Sequence, residues 1–186
     1  MLKAQTFVLG WARAQNDRRG RLQESCKAKP FWCRPSVGRL KLNVDAAVRE
    51  DKCGLGWCLR DAAGSFVTGA AKPRTGRLSS LEAELIGIME ALSWLQGTDW
   101  KIVDVESDAS RAIMEITRGS SCSSYGLVAD DIRDIAKNFS SISFSHIRRS
   151  ANRIAHELAR AACSMSDLHS WFYYILPVVF IFCPEQ

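Results

Sequence analysis

The sequence predicts an α/β domain whose core is a mixed, five-stranded β-sheet flanked by helices. Two observations carry this. Three short strand patterns follow one another between residues 40 and 72 with only turns between them. After them, strand patterns alternate with amphipathic helical ones, giving the order β-β-β-α-β-α-α-β-α. Three antiparallel strands followed by strands joined through helices require a sheet of mixed direction with helices on its faces. The 186 residues, 47% hydrophobic and 24% charged, are enough for a hydrophobic core of ordinary size.

The first three strands are read in "LKLNVDAAV", "GLGWCLRDA" and "SFVTGAAK". The last two are separated by Asp61, Ala62, Ala63 and Gly64, a hairpin turn with glycine at its end. In "LSSLEAELIGIMEALSWL" the apolar Leu81, Leu85, Ile88, Leu92 and Leu95 recur at helical spacing, and the serines before them suit a cap on the first turn. "KIVDVESD" alternates as a strand, and "ASRAIMEITRG" is a short helix closed by Gly119. "YGLVADDIRDIAKNF" gives another helix, "SISFSHI" a strand and "ANRIAHELARAACS" a last helix.

Three segments follow from composition. Residues 1–37 form a basic extension: up to residue 40 there are nine Lys or Arg against Asp17 and Glu24, a net +7 that leaves about −2 for the rest. Such an arm suits a polyanionic partner, because Lys and Arg displace counterions from phosphates. It is equally a solvated linker, and its richness in Arg also fits an organelle transit peptide. Residues 38–165 form the domain. Residues 166–186 form an apolar tail whose thirteen-residue run "WFYYILPVVFIFC", interrupted by Pro177, is shorter than the ~20 residues a membrane span needs. It is expected to pack on the domain or on a protein partner. The seven cysteines include no CxxC pair and read as reduced intracellular thiols; Cys53 and Cys58 as a zinc pair would lack a second pair to complete the site.

Three acids stand out on this frame. Asp45 is placed at or near the end of the first strand, Glu84 one turn inside the long helix, and Asp108 where the fourth strand gives way to a helix. Elements arranged this way can bring them to one edge of the sheet. A carboxylate beside apolar runs needs a compensating partner, which a divalent cation supplies. Taken singly, each has an ordinary alternative: Asp108 as a helix cap, Glu84 as an exposed helix charge, Asp45 as a turn former. Glu82, the rival glutamate, lies about 200° around the helix from Glu84, so both cannot face one site.

Taken together, "LKLNVDAA", "AELIGIMEAL", "VDVESDASRAI" and "ANRIAHELARAA", in this order and at these intervals, resemble type 1 ribonuclease H. With "RPSVGRLKLNVD" and "RDAAGSFVTGA" they are most similar to the ribonuclease H-like domains of plant retrotransposon-derived proteins, over residues 35 to 163. The resemblance implies the ribonuclease H-like fold and hydrolysis of the RNA strand of an RNA/DNA hybrid. It implies two Mg²⁺ ions, with Mn²⁺ as a substitute, held by Asp45, Glu84 and Asp108. The chemistry is independent of the name: paired hard cations bound by carboxylate oxygens activate a water and stabilise the leaving oxygen of an in-line displacement.

The fourth acidic position of that pattern is His156, in "NRIAHELA". A neutral imidazole matches Mg²⁺ less well than a carboxylate, and a protonated one repels it. His156 is therefore expected either to act catalytically, through a metal-bound water or a proton, or to be a helix residue at the sheet edge without such a task. Ala46 replaces the glycine that usually follows the first aspartate, and the short join "SHIRRSAN" places His146 in the strand rather than in a catalytic loop. Nucleic-acid contacts are expected from Ser79, Ser80, Ser110, Arg148, Arg149 and Asn152. Trp57, Trp94 and Trp100 read as packing residues rather than a stacking platform.

Two other functions stay open from the sequence. One is a weakened, nucleic-acid-binding remnant marked by His156 and Ala46; the other is a protein interaction module using the tail and the arm. The chain is expected to be an intracellular monomer of nucleus or cytoplasm, with an organelle as a third location.

Overall fold

A computed structural model describes residues 31–119 and 124–172. Most of the basic extension and the tail beyond residue 172 lie outside them. Strands β1 (Leu40–Arg49), β2 (Lys52–Arg60) and β3 (Phe66–Thr75) form an antiparallel meander. Helix α1 (Ser80–Gln96) leads to β4 (Ile102–Ser107), α2 (Ser110–Arg118), α3 (Ser124–Ala136) and β5 (Ser141–His146). A single 3-10 turn over Arg149–Ala151 precedes α4 (Arg153–Ala162). The sheet runs β5-β4-β1-β2-β3-β6, with β4 and β5 parallel to β1.

The fold class is as expected, with one correction. Among the described residues the sheet has six strands rather than five, because β6 (His169–Phe172) pairs antiparallel with Thr68–Ala71 of β3. It arises at the start of the apolar tail. A four-residue segment of that kind has no turn signal or alternation long enough to mark a strand; the free edge of β3 supplies its backbone partners.

Local chemistry explains the elements that position the site. Gly64, at φ +82°, closes the β2–β3 hairpin, where its N–H donates to the Asp61 carbonyl at 2.9 Å. Ser79 and Glu82 form a reciprocal capping box on α1: the Glu82 N–H donates to Ser79 Oγ at 3.2 Å, and the Ser79 N–H to Glu82 Oε2 at 2.7 Å. This turns Glu82 away and leaves Glu84 on the face toward the sheet.

Alternation along β1 and β2 sorts the two faces. Leu42, Val44, Leu55, Trp57 and Leu59 join the main core beneath α1, with α2 and α3 behind it. Cys58, Phe66 and Ala71 meet Ile154, Leu158 and Ala162 of α4 on the other face. Cys53 packs in the first core and Cys58 in the second, so they do not make a zinc pair. Trp57 is buried and lies 6.1 Å from Trp94, ring centre to ring centre, as packing residues should.

The face of α4 is unusually close to β2. A Cβ on Gly56 would lie 2.2 Å from the Ala159 nitrogen and 2.5 Å from the Ala155 oxygen; one on Gly54 would lie 2.0 Å from the Ala159 oxygen. Farther along the same face, a buried polar layer ties β1 to β4. Asn43 Nδ2 donates to Glu106 Oε2 at 3.0 Å, and Lys41 pairs with Glu106 Oε1 at 2.6 Å. Trp32 and Arg60 both donate to Asn43 Oδ1, at 2.9 and 2.6 Å, and the Arg60 guanidinium sits 3.4 Å above the Trp32 ring. Burial lowers the Arg60 pKa to about 10, which keeps it cationic at neutral pH.

Candidate active site

The site sits at a fork in the sheet. The parallel ladder between β1 and β4 ends at Asn43↔Glu106, while β1 continues along β2 to Arg49↔Lys52. Asp45 therefore lies inside a strand rather than at its end, correcting the expectation, and just past the last residue that β4 pairs with. Beyond that point the two strands part, and the gap receives side chains.

Asp45 from β1, Glu84 from α1 and Asp108 from the end of β4 each present an oxygen within 4.8 Å of the other two. The three acids that the sequence singled out are thus brought together. Their pKa values record the strain of the arrangement. Burial, then repulsion from Asp108, pushes Asp45 up to about 6, against the opposing hydrogen bond from His156. Glu84 is pushed up to about 9 by burial first, then by Asp45 and Asp108, while the Ala46 amide pulls the other way. Mutually repelling, desolvated oxygens of this kind are the donor set a hard divalent cation satisfies, so these residues fit a metal such as Mg²⁺ or Mn²⁺.

His156 borders the cluster. Its Nδ1 is 2.7 Å from Asp45 Oδ2, and its side chain is 19% exposed. Arg149 reaches over both: its Nη2 is 3.3 to 3.4 Å from the two ring nitrogens of His156, and its Nε is 4.0 Å from Asp108 Oδ2. Glu157, one residue on, is turned to Arg160 at 3.8 Å and takes no part.

The remaining expected contacts are scattered. Ser79 and Ser80 are exposed at the start of α1, where the Ser79 hydroxyl is engaged in the cap; Ser110 is exposed at the start of α2, and Arg148 lies exposed before the 3-10 turn. Asn152 is buried instead. Its Nδ2 donates to the Val44 carbonyl at 2.8 Å and to Asp108 Oδ1 at 2.9 Å, so its amide braces the fork. His146 is the last residue of β5, as expected. Sequence reasoning missed Ser107. Fully buried, its hydroxyl lies 3.4 Å from Glu84 Oε2 and accepts the Ala109 N–H at 3.1 Å. A small hydroxyl directly before Asp108 was the available signal.

A sequence model of the reverse transcriptase-like family matches residues 43–162, from within β1 to the end of α4, and includes the three acids of the cluster and His156. The chain belongs to the reverse transcriptase-like family. The structure of this reverse transcriptase-like domain is similar to that of ribonuclease H1 from the archaeon Halobacterium salinarum, with a TM-score of 0.63 and 21% identity over 68% of this chain and 98% of that one. It is similar to the N-terminal ribonuclease H domain from Mycobacterium tuberculosis solved as a maltose-binding-protein fusion, with a TM-score of 0.61 and 18% identity over 68% and 94% of the two chains. It also resembles LC11 ribonuclease H1, solved in complex with an RNA/DNA hybrid, with a TM-score of 0.60 and 21% identity over 67% and 96%. The fold is therefore that of type 1 ribonuclease H. No curated protein matches the chain. Among the described residues, no helix is long and apolar enough to cross a membrane.

Proposed function

We propose that the reverse transcriptase-like domain is a metal-dependent nuclease that hydrolyses the RNA strand of RNA/DNA hybrids. The observation that carries this reading is the meeting of Asp45, Glu84 and Asp108 within 4.8 Å at the fork, buried enough to push two of them well above the usual carboxylate range. The ribonuclease H fold gives that cluster its context. Asp45, Glu84 and Asp108 would hold one or two divalent cations, which supply an activated water and charge stabilisation for phosphodiester cleavage.

The chain's own residues set the stage for that chemistry. Ser107 holds Glu84, Asn152 holds Asp108 against β1, and His156 restrains the Asp45 carboxylate. Arg149, 72% exposed and within 4.0 Å of Asp108, would bind a phosphate of the substrate. Ser79, Ser80, Ser110 and Arg148 would contact the hybrid at more distant points.

The short contact between His156 and Asp45 favours a second reading, in which the site binds hybrids but cuts them poorly. A labelled RNA/DNA hybrid incubated with the full chain in Mg²⁺ or Mn²⁺ separates the two. We expect metal-dependent cutting of the RNA strand that Asp45→Asn abolishes while hybrid binding is retained. Retained binding with no cutting by the wild type in either metal would overturn the nuclease and leave the binding protein.

A further inference from the structure

The cluster has three carboxylates and one nitrogen base at its rim. We propose that His156 is itself a metal ligand, and that its nitrogen shifts the preference of the centre from Mg²⁺ toward a first-row transition ion such as Mn²⁺. This rests on the reading of the cluster as a metal centre.

Distance is the first argument. His156 Nδ1 and Asp45 Oδ2 are 2.7 Å apart. Neighbouring ligands of an octahedral ion with bonds of ~2.1 Å are about 3 Å apart. An ion can therefore bridge the two atoms with an adjustment of a few tenths of an ångström. The helix backbone that carries the ring also has little freedom to withdraw. Ala155 and Ala159, on the same helix, rest on the glycines of β2, and Asn152, one turn earlier, is tied to both Val44 and Asp108.

Donor chemistry is the second. Mg²⁺ depends on anionic oxygen ligands and tolerates nitrogen poorly, whereas first-row transition ions accept imidazole, Mn²⁺ least strongly among them. A fourth carboxylate would add charge that favours the hard ion, and an imidazole in its place removes that charge. Arg149, whose guanidinium lies beside His156 and Asp108, opposes the charge of any divalent cation there. It is exposed enough to swing aside when an ion enters, while Glu157 is occupied with Arg160.

The test uses the full chain without nucleic acid, with Mn²⁺ as the probe. Pulsed electron paramagnetic resonance of the bound ion should show coupling to a directly bound ¹⁴N in the wild type. That coupling should vanish in His156→Gln and in His156→Asp. In His156→Asp the Mg²⁺ concentration that displaces half of the Mn²⁺ should fall roughly ten-fold. Bound Mn²⁺ without nitrogen coupling, or coupling that survives His156→Gln, overturns the role of His156 and leaves the nuclease reading standing. Mn²⁺ binding that Asp45→Asn does not weaken overturns both.

Discussion

Glu84 shows what one residue reveals when its neighbours are known. Its carboxyl is pushed from 4.5 to about 9, chiefly by burial and then by Asp45 and Asp108. Without a cation, the folded chain holds that proton more tightly than the unfolded chain does. The resulting stability is fully present below pH 4.5 and is lost as pH rises through about 9. Asp45, raised from 3.8 to about 6, adds a smaller loss in the same direction. The metal-free protein should therefore melt at progressively lower temperature between those limits, and Glu84→Gln should flatten most of that fall. Calorimetry at a series of pH values checks this, and an unchanged slope in Glu84→Gln would remove Glu84 as its source. The three acids were legible in the sequence because each sits beside an apolar run, even though Asp45 proves to lie inside β1 rather than at its end. The roles of Ser107 and Asn152 were not, because their partners are brought near only by folding: Asn152 bonds Val44, more than a hundred positions away.

At the scale of elements, the decisive contact is between α4 and β2. Sequence periodicity placed both elements, yet it assigns no role to the glycines of "CGLGWC". Their purpose lies across the layer, where Gly54 and Gly56 let the helix backbone come down onto the sheet. Gly56→Ala would drive a methyl group into the backbone of Ala155 and Ala159, which cannot yield as a flexible side chain would. We expect a loss of about 1–3 kcal/mol, read as a lower urea midpoint. The helix should lift and carry His156 away from Asp45, which would appear as weaker Mn²⁺ binding. An unchanged midpoint would mean that α4 has room the structure does not show. The sixth strand escaped the sequence for the opposite reason: β6 is short and owes its conformation to the edge of β3.

For the whole molecule, the lead-in before β1 is part of the domain rather than only a tether. Trp32 lies on Arg60 and donates to Asn43, which reaches Glu106 two residues before Asp108, just as Asn43 stands two residues before Asp45. The network thus fixes the strands that bear two of the acids. Trp32→Ala removes the ring over Arg60 and one donor to Asn43, and should cost about 2 kcal/mol in urea unfolding. Mn²⁺ affinity should fall with it, although no ligand is touched; stability lost with affinity unchanged would confine Trp32 to packing. The sequence marked this segment as proline-punctuated and basic, but a docked lead-in and a loose one share that composition. The fork has a last consequence. Where β4 stops pairing with β1, the Asn152 amide bonds the Val44 carbonyl in place of a longer strand. A lineage could therefore silence this centre while keeping every acid, simply by zipping the two strands two residues further, since the sheet would then close over the space in which the carboxylates meet.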